Sequence, residues 1–155
     1  MKSLALSALL LTTMIVPLAA QDPATSEQEV RQTVTRLFDA MRARDTAALR
    51  AVFDSNARLV TTFNRNGIPV TDATPANDFI RVVATAAPGQ LLDERISDTE
   101  IDVEDNLASV WTKYKFYVGT QFSHCGVDAM QLAKTTEGWK IIALADTRRQ
   151  AAQCQ

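Results

Sequence analysis

The chain has 155 residues, 46% of them hydrophobic and 22% charged, with a formal net charge of −2. That length and balance predict one domain with a single core, and they exclude a disordered chain. Basic and acidic residues are interspersed along the whole length with no basic stripe, so a nucleic-acid partner is not expected. One histidine and two cysteines do not make a zinc site. There is no P-loop, dinucleotide fingerprint or G-x-S-x-G motif, so neither a metal nor a cofactor is expected.

The N-terminus reads as a signal peptide. Lys2 gives a positive start, Leu4 to Val16 is an uncharged apolar run, and Pro17-Leu18-Ala19-Ala20 offers a cleavage site after Ala20. The run is shorter than the roughly 20 residues a membrane span needs, so residues 1–20 are expected to be removed and no membrane association to follow. Residues 21–155 then form one domain that is secreted or periplasmic. In an oxidising compartment Cys125 and Cys154 permit a single bridge, which would pin the C-terminal tail to the sheet.

Ser26-Glu27-Gln28-Glu29 has the form of a capping box. Val30, Val34, Leu37, Phe38 and Met41 follow at helical spacing, predicting an amphipathic helix over 26–43. Asp45 caps a short second helix through Phe53, with Leu49, Val52 and Phe53 turned inward. Residues 58–63 read as a strand, Asn64 to Gly67 as a turn, and 68–71 as a return strand that Pro69 confines to an edge. Thr74-Pro75 marks an N-cap and first helical position for a third helix over 75–86, stopped by Pro88-Gly89.

Residues 91–97 and 99–104 predict a strand pair or one bulged strand, in which Asp93-Glu94 and the acids from Asp98 to Glu104 read as a solvated edge lacking the glycine of a calcium loop. Three long strands complete the chain at 107–118, 122–134 and 139–147. Helices collected at one end of an antiparallel meander must cover one of its faces, which is α+β architecture.

Several stretches resemble the nuclear-transport-factor-2-like superfamily, and within it the SnoaL-like and lumazine-binding-like small proteins. They are F-x-A-M-x-x-R-D (Phe38 to Asp45), L-x-A-V-F (Leu49 to Phe53), A-S-V-W-T-K-Y-K-F-Y (Ala108 to Tyr117), H-C-G-V-D-A-M-Q-L (His124 to Leu132) and G-W-K-I-I-A-L-A-D-T-R-R (Gly138 to Arg149). The resemblance implies a cone-shaped, curved antiparallel sheet wrapped around about three N-terminal helices, with a pocket between them. It is silent on activity, since members include isomerases, dehydratases, hydrolases, non-catalytic binders and dimerisation modules.

Alternation along a strand sorts its side chains onto two faces. In 107–118 the lysines assign Ser109, Trp111, Lys113, Lys115 and Tyr117 outward, leaving Val110, Thr112, Tyr114 and Phe116 inward. In 122–134 Met130 and Leu132 place His124, Gly126 and Asp128 inward with them. In the last strand Ile141, Ala143, Ala145 and Thr147 are expected to join this set. Asp146 to Arg149 then reads as an ion-paired strand end or an anion contact. The expected ligand-binding set is Thr112, Tyr114, Phe116, His124, Asp128 and Met130.

Asp128 and His124 are the candidate acid–base groups, with Tyr114 as an orienting donor. Either can equally be a hydrogen-bonded core residue. Four residues apart on a strand they are separated by roughly 13 Å, too far for direct relay. Within the superfamily, ketosteroid isomerase sets an Asp base beside a Tyr and a protonated Asp, and Tyr114 and Asp128 are the inner-face residues of that type.

Three functions fit. The first is an exported protein that binds a small apolar ligand or a partner without catalysis. The second is an isomerase, dehydratase or hydrolase acting through Asp128 or His124 in the same pocket. The third is a dimerisation module. Apolar residues on both sheet faces point to a homodimer that buries Trp111 and Leu144.

Overall fold

The computed structural model describes residues 23–87 and 90–154; the signal segment 1–20 and the Pro88-Gly89 stop lie outside the described residues. The first helix, α1 (Pro23–Ala43), starts earlier than the capping-box reading places it. Ser26 is inside the helix and buried, so it is not the cap. Glu29, read as the box partner, instead accepts from Trp139 Nε1 at 3.1 Å and from Lys134 Nζ, tying α1 to the sheet. The spacing argument identifies the packing face: Val30, Val34, Leu37, Phe38 and Met41 are all buried.

Helix α2 (Thr46–Val52) is capped by Asp45, which accepts from Ala47 N at 3.0 Å and Ala48 N at 2.9 Å. Strand β1 (Phe53–Arg65) and strand β2 (Ile68–Pro75) form the first hairpin, both longer than expected. Pro75 ends β2 and precedes helix α3 (Ala76–Thr85), so it takes the cap position, without a side-chain cap bond.

Strands β3 (Leu92–Glu104), β4 (Leu107–Val118), β5 (Gln121–Thr135) and β6 (Gly138–Gln150) make the expected meander, and β3 is one strand broken in register between Ser97 and Glu100. The sheet order is β2-β1-β6-β5-β4-β3, open at both ends. One pairing is parallel: β1 docks alongside β6, because the first hairpin returns to the edge that the last strand leaves free. The sheet is therefore mixed rather than wholly antiparallel. The three helices cover its concave face, α1 lying against β3 and α3 against β1. Among the described residues no helix is long and apolar enough to cross a membrane.

Inner-face alternation holds through β4, where Ala108, Val110, Thr112 and Tyr114 are buried and the residues between them exposed. It fails in β6. A register shift sets Gln131 opposite Ala143 but Leu132 opposite Ile141, leaving Ile142 as an extra residue. Beyond Ile142 every side chain changes face. Leu144 is buried, and Leu144, Asp146 and Arg148 face the cavity, whereas Ala143, Ala145 and Thr147 do not line it. Leu144 therefore cannot contribute to an outer-face dimer contact. Trp111 remains on the outer face, 52% exposed.

The tail is pinned. Cys125 and Cys154 form a disulfide with Cα atoms 5.8 Å apart, holding the short 3-10 turn Ala151–Gln153 on the outer side of β5.

Candidate functional site

A cavity of about 260 Å³ opens between the helices and the concave sheet. Its walls are apolar: Leu37, Phe38 and Met41 come from α1, Phe79, Val82 and Val83 from α3, and Leu59 and Leu144 from the sheet. Its floor is polar, contributed one strand at a time by Thr61 (β1), Glu94 (β3), Tyr114 (β4), His124 and Asp128 (β5), and Asp146 and Arg148 (β6).

Strand register assembles this floor. Tyr114 lies opposite Gly126, and a Cβ at Gly126 would stand 1.7 Å from Thr147 O and 2.7 Å from Tyr114 Cε1. Glycine is required there, because β6 and the Tyr114 ring both close over the position. The ring reaches across β5 so that its hydroxyl donates to Thr147 O at 3.0 Å and towards Asp146 Oδ2 at 3.3 Å. Burial, and then the Asp146 carboxylate, push the Tyr114 hydroxyl above its usual range. Asp146 also accepts from Thr61 Oγ1 at 2.6 Å, and burial raises its carboxyl against the pull of that bond.

Asp128 lies directly opposite Asp146 in the β5–β6 register. Facing carboxylates repel, and Asp128 is only 2% exposed. Burial pushes its carboxyl up to about 7, with a hydrogen bond to Glu94 opposing the rise and the Asp146 charge adding to it. Glu94 is its partner on the other side. Burial and the Asp128 charge push Glu94 well above the ordinary carboxylate range. Asp128 Oδ2 accepts from no N–H or hydroxyl group of the described residues, and the hydrogen-bonding neighbour of the Asp128 carboxyl is Glu94. Two ionised carboxyls cannot satisfy one another, but one proton held between them can. Glu94 and Asp128 therefore titrate as a pair that keeps a proton near neutral pH.

His124 stacks on Phe116 at 4.8 Å, meets the Tyr114 ring edge-on at 5.7 Å, and pairs through Nδ1 with Ser123 Oγ at 2.9 Å. Burial, then the Arg148 charge, lower it to about 4, so it is neutral at pH 7. A neutral imidazole so hard to protonate is a poor proton acceptor, and Asp128 is the stronger candidate base.

Of the residues the sequence singled out, Tyr114, Phe116, His124 and Asp128 line the cavity. Thr112 and Met130 do not. Thr112 lies beneath the floor, its hydroxyl 2.7 Å from Thr99 Oγ1 and donating to Ser97 O at 3.1 Å, while Met130 is core.

Two carboxyls were missed, Glu94 and Asp146. The edge reading of Asp93-Glu94 fails because neighbouring side chains on a strand point to opposite faces. Asp93 turns to Arg42 (2.6 Å) and Arg95 (2.8 Å), and Glu94 turns to the cavity. The legible signal was its row, Leu92-Glu94-Ile96, in which a carboxylate interrupts apolar residues. Asp146 was hidden by the bulge at Ile142. Neither it nor Arg148 forms an ion pair among the described residues; they line the cavity instead of closing a strand end. No three acidic, His or Cys groups among the described residues are placed to hold a metal ion.

An open curved sheet closed by helices over an apolar cavity defines the nuclear-transport-factor-2-like class. Residues 25–145 match the family model described as "Putative lumazine-binding", and the chain belongs to that lumazine-binding-like family. Solved structures agree on the fold. A nuclear-transport-factor-2-like protein of unknown function from Silicibacter pomeroyi is 17% identical, with TM-score 0.63 over 83% of this chain and 100% of its own. A protein of the same kind from Shewanella baltica is 12% identical, with TM-score 0.65 over 85% and 100%. A protein described as a "putative dehydratase" of this class from Streptomyces avermitilis is 17% identical, with TM-score 0.63 over 84% and 100%. No curated protein matches the chain.

Proposed function

We propose that the protein binds a small, mainly apolar molecule in the conical cavity, with the molecule's polar end on the Glu94–Asp128 pair. The observation that carries this is Asp128 Oδ2, buried at the floor of an apolar cavity with no N–H or hydroxyl donor among the described residues. A buried acceptor left without a donor costs about 1–3 kcal/mol, and a ligand that supplies the donor recovers it. The family membership supports the same reading. Apolar cavities of roughly 150 Å³ hold a benzene ring, so about 260 Å³ has room for one ring and a short substituent. Methyl NMR tests this. Benzyl alcohol should give saturable shifts at Leu37, Leu59 and Leu144, and an absence of shifts at all three would contradict it.

A second reading, acid–base catalysis in the same cavity, is favoured by one observation. A carboxyl pair that holds a proton near neutrality has the property a general acid or base needs. Asp128 would move the proton, Glu94 would share it, and Tyr114 would keep Asp146 oriented. The description of the Streptomyces neighbour as a dehydratase is compatible with such chemistry. Deuterium exchange at the acidic carbon of 2-cyclohexenone in D₂O is the assay. Wild type should accelerate it with a rate rising through neutral pH, and Asp128→Asn should abolish it; equal exchange in both would remove Asp128 from the chemistry.

Export is part of the proposal, supported by the apolar N-terminal run and by a disulfide that suits an oxidising compartment. So is a homodimer through the outer sheet face. There the exposed Trp111 stands beside Ala129, which in turn faces Ala145. Sedimentation should give a dimer that Trp111→Glu dissociates, and a wild-type monomer at micromolar concentration would end that part.

A further inference from the structure

We propose that the cavity selects small amphiphilic monocations, a single-ring or short-chain amine whose ammonium group donates to Asp128 Oδ2 while its hydrocarbon lies against Leu37, Phe79 and Leu144. This rests on the reading of the cavity as a small-molecule site and adds the charge of the molecule.

Tyr114 has one hydroxyl hydrogen, already committed to Thr147 O and Asp146. The Thr61 hydroxyl is committed to Asp146. His124 has its Nδ1 on Ser123 and its ring stacked on Phe116. The floor therefore keeps two donors for a ligand, the second ring nitrogen of His124 and the guanidinium of the exposed Arg148. Its distinctive group is an acceptor, Asp128 Oδ2, on a side chain 2% exposed that meets no N–H or hydroxyl donor among the described residues and shares a single proton with Glu94.

Charge gives the same answer by a separate route. Of the groups facing the cavity, α1 and α3 contribute only apolar side chains, and β1 contributes Thr61, Leu59 and Phe53. Glu94 on β3 and Asp128 on β5 share one proton and together carry one negative charge. Asp146 on β6 carries a second, and the exposed Arg148 on the same strand balances one of the two. Neutral His124 and Tyr114 add nothing. One negative charge remains unbalanced in an apolar enclosure, where a charge is far costlier than in water. A monocation neutralises it; an anion is repelled, and a neutral molecule leaves it in place.

Benzylamine and benzyl alcohol are the probes, near-isosteric and differing in charge at neutral pH. Binding is followed at pH 7.5 by methyl NMR of the full chain with its disulfide intact. Benzylamine should bind tighter than benzyl alcohol by about tenfold, the scale of a charge-assisted over a neutral hydrogen bond. In Asp128→Asn, which keeps the side-chain shape, benzylamine should lose more affinity than benzyl alcohol, so that the preference falls to near one. Lowering the pH to 5.5 protonates the carboxyls and should weaken benzylamine alone. Equal binding of the two probes, or a preference that survives Asp128→Asn, overturns cation selection and leaves the small-molecule reading standing. No cavity shift with either probe overturns both.

Discussion

Replacing Asp128 with asparagine should stabilise the protein, and only above mildly acidic pH. Asp128 is 2% exposed, and its carboxyl is pushed from its ordinary value of 3.8 up to about 7, chiefly by burial. The folded state therefore binds its proton more tightly than the unfolded chain does. The stability this gives is fully present below pH 3.8 and is lost as pH rises through 7. The interval is about three pH units, and at 1.36 kcal/mol per unit the loss approaches roughly 4 kcal/mol at pH 8. Because Glu94 shares the proton, part of that cost belongs to the pair, and about 2–4 kcal/mol is the expected gain for Asp128→Asn. The asparagine amide also supplies a donor that can face Glu94.

Urea unfolding of wild type and variant at pH 4 and pH 8, with the disulfide intact, measures this directly. The difference between the proteins cancels contributions from Glu29 and Asp93. Lys134 and Arg42 respectively hold those carboxyls below their ordinary values, so they lose stability in the opposite direction, as pH falls. The expected result is near-equality at pH 4 and a more stable variant at pH 8. A variant equal to or weaker than wild type at pH 8 would refute the buried-carboxyl account of the site.

Gly126→Ala should cost about 1–3 kcal/mol or more, because its Cβ would fall 1.7 Å from Thr147 O; urea unfolding and loss of the Tyr114 ring shifts in NMR report it together. Reducing the Cys125–Cys154 bridge, which spans 29 residues, should lower stability by about 3–4 kcal/mol on chain entropy alone, read as a drop in urea midpoint in dithiothreitol. Arg42→Ala removes one of the two cations on buried Asp93, and should cost about 1–3 kcal/mol at pH 7. That cost should shrink as Asp93 is protonated at low pH, which thermal unfolding at pH 7 and pH 3 would show.

How far the sequence disclosed this site depends on how many residues each inference had to span. Helix α1 was legible because five apolar residues at helical spacing need no tertiary context. The inner row of β4 was legible because lysines fix the opposite face. Asp128 was found by the same logic, in a row with Met130 and Leu132. The rule breaks where the backbone inserts one residue. Ile142 reverses the outer half of β6, hiding Asp146 and Arg148 and misplacing Leu144 on the dimer face. Glu94 was lost for another reason: next to Asp93 on an edge strand it looks solvated, and only the helices packed over β3 bury it. The site is thus a strand-by-strand assembly, three of whose polar members come from a segment read as surface or from beyond a bulge.

Native mass spectrometry of the protein recovered from its own source compartment tests the central claim most directly. A filled cavity predicts a complex heavier than the polypeptide by one small molecule, released on denaturation and absent from a Leu144→Trp variant that occupies the cavity. Wild type emerging at the bare polypeptide mass, or an adduct equally retained by Leu144→Trp, would contradict it.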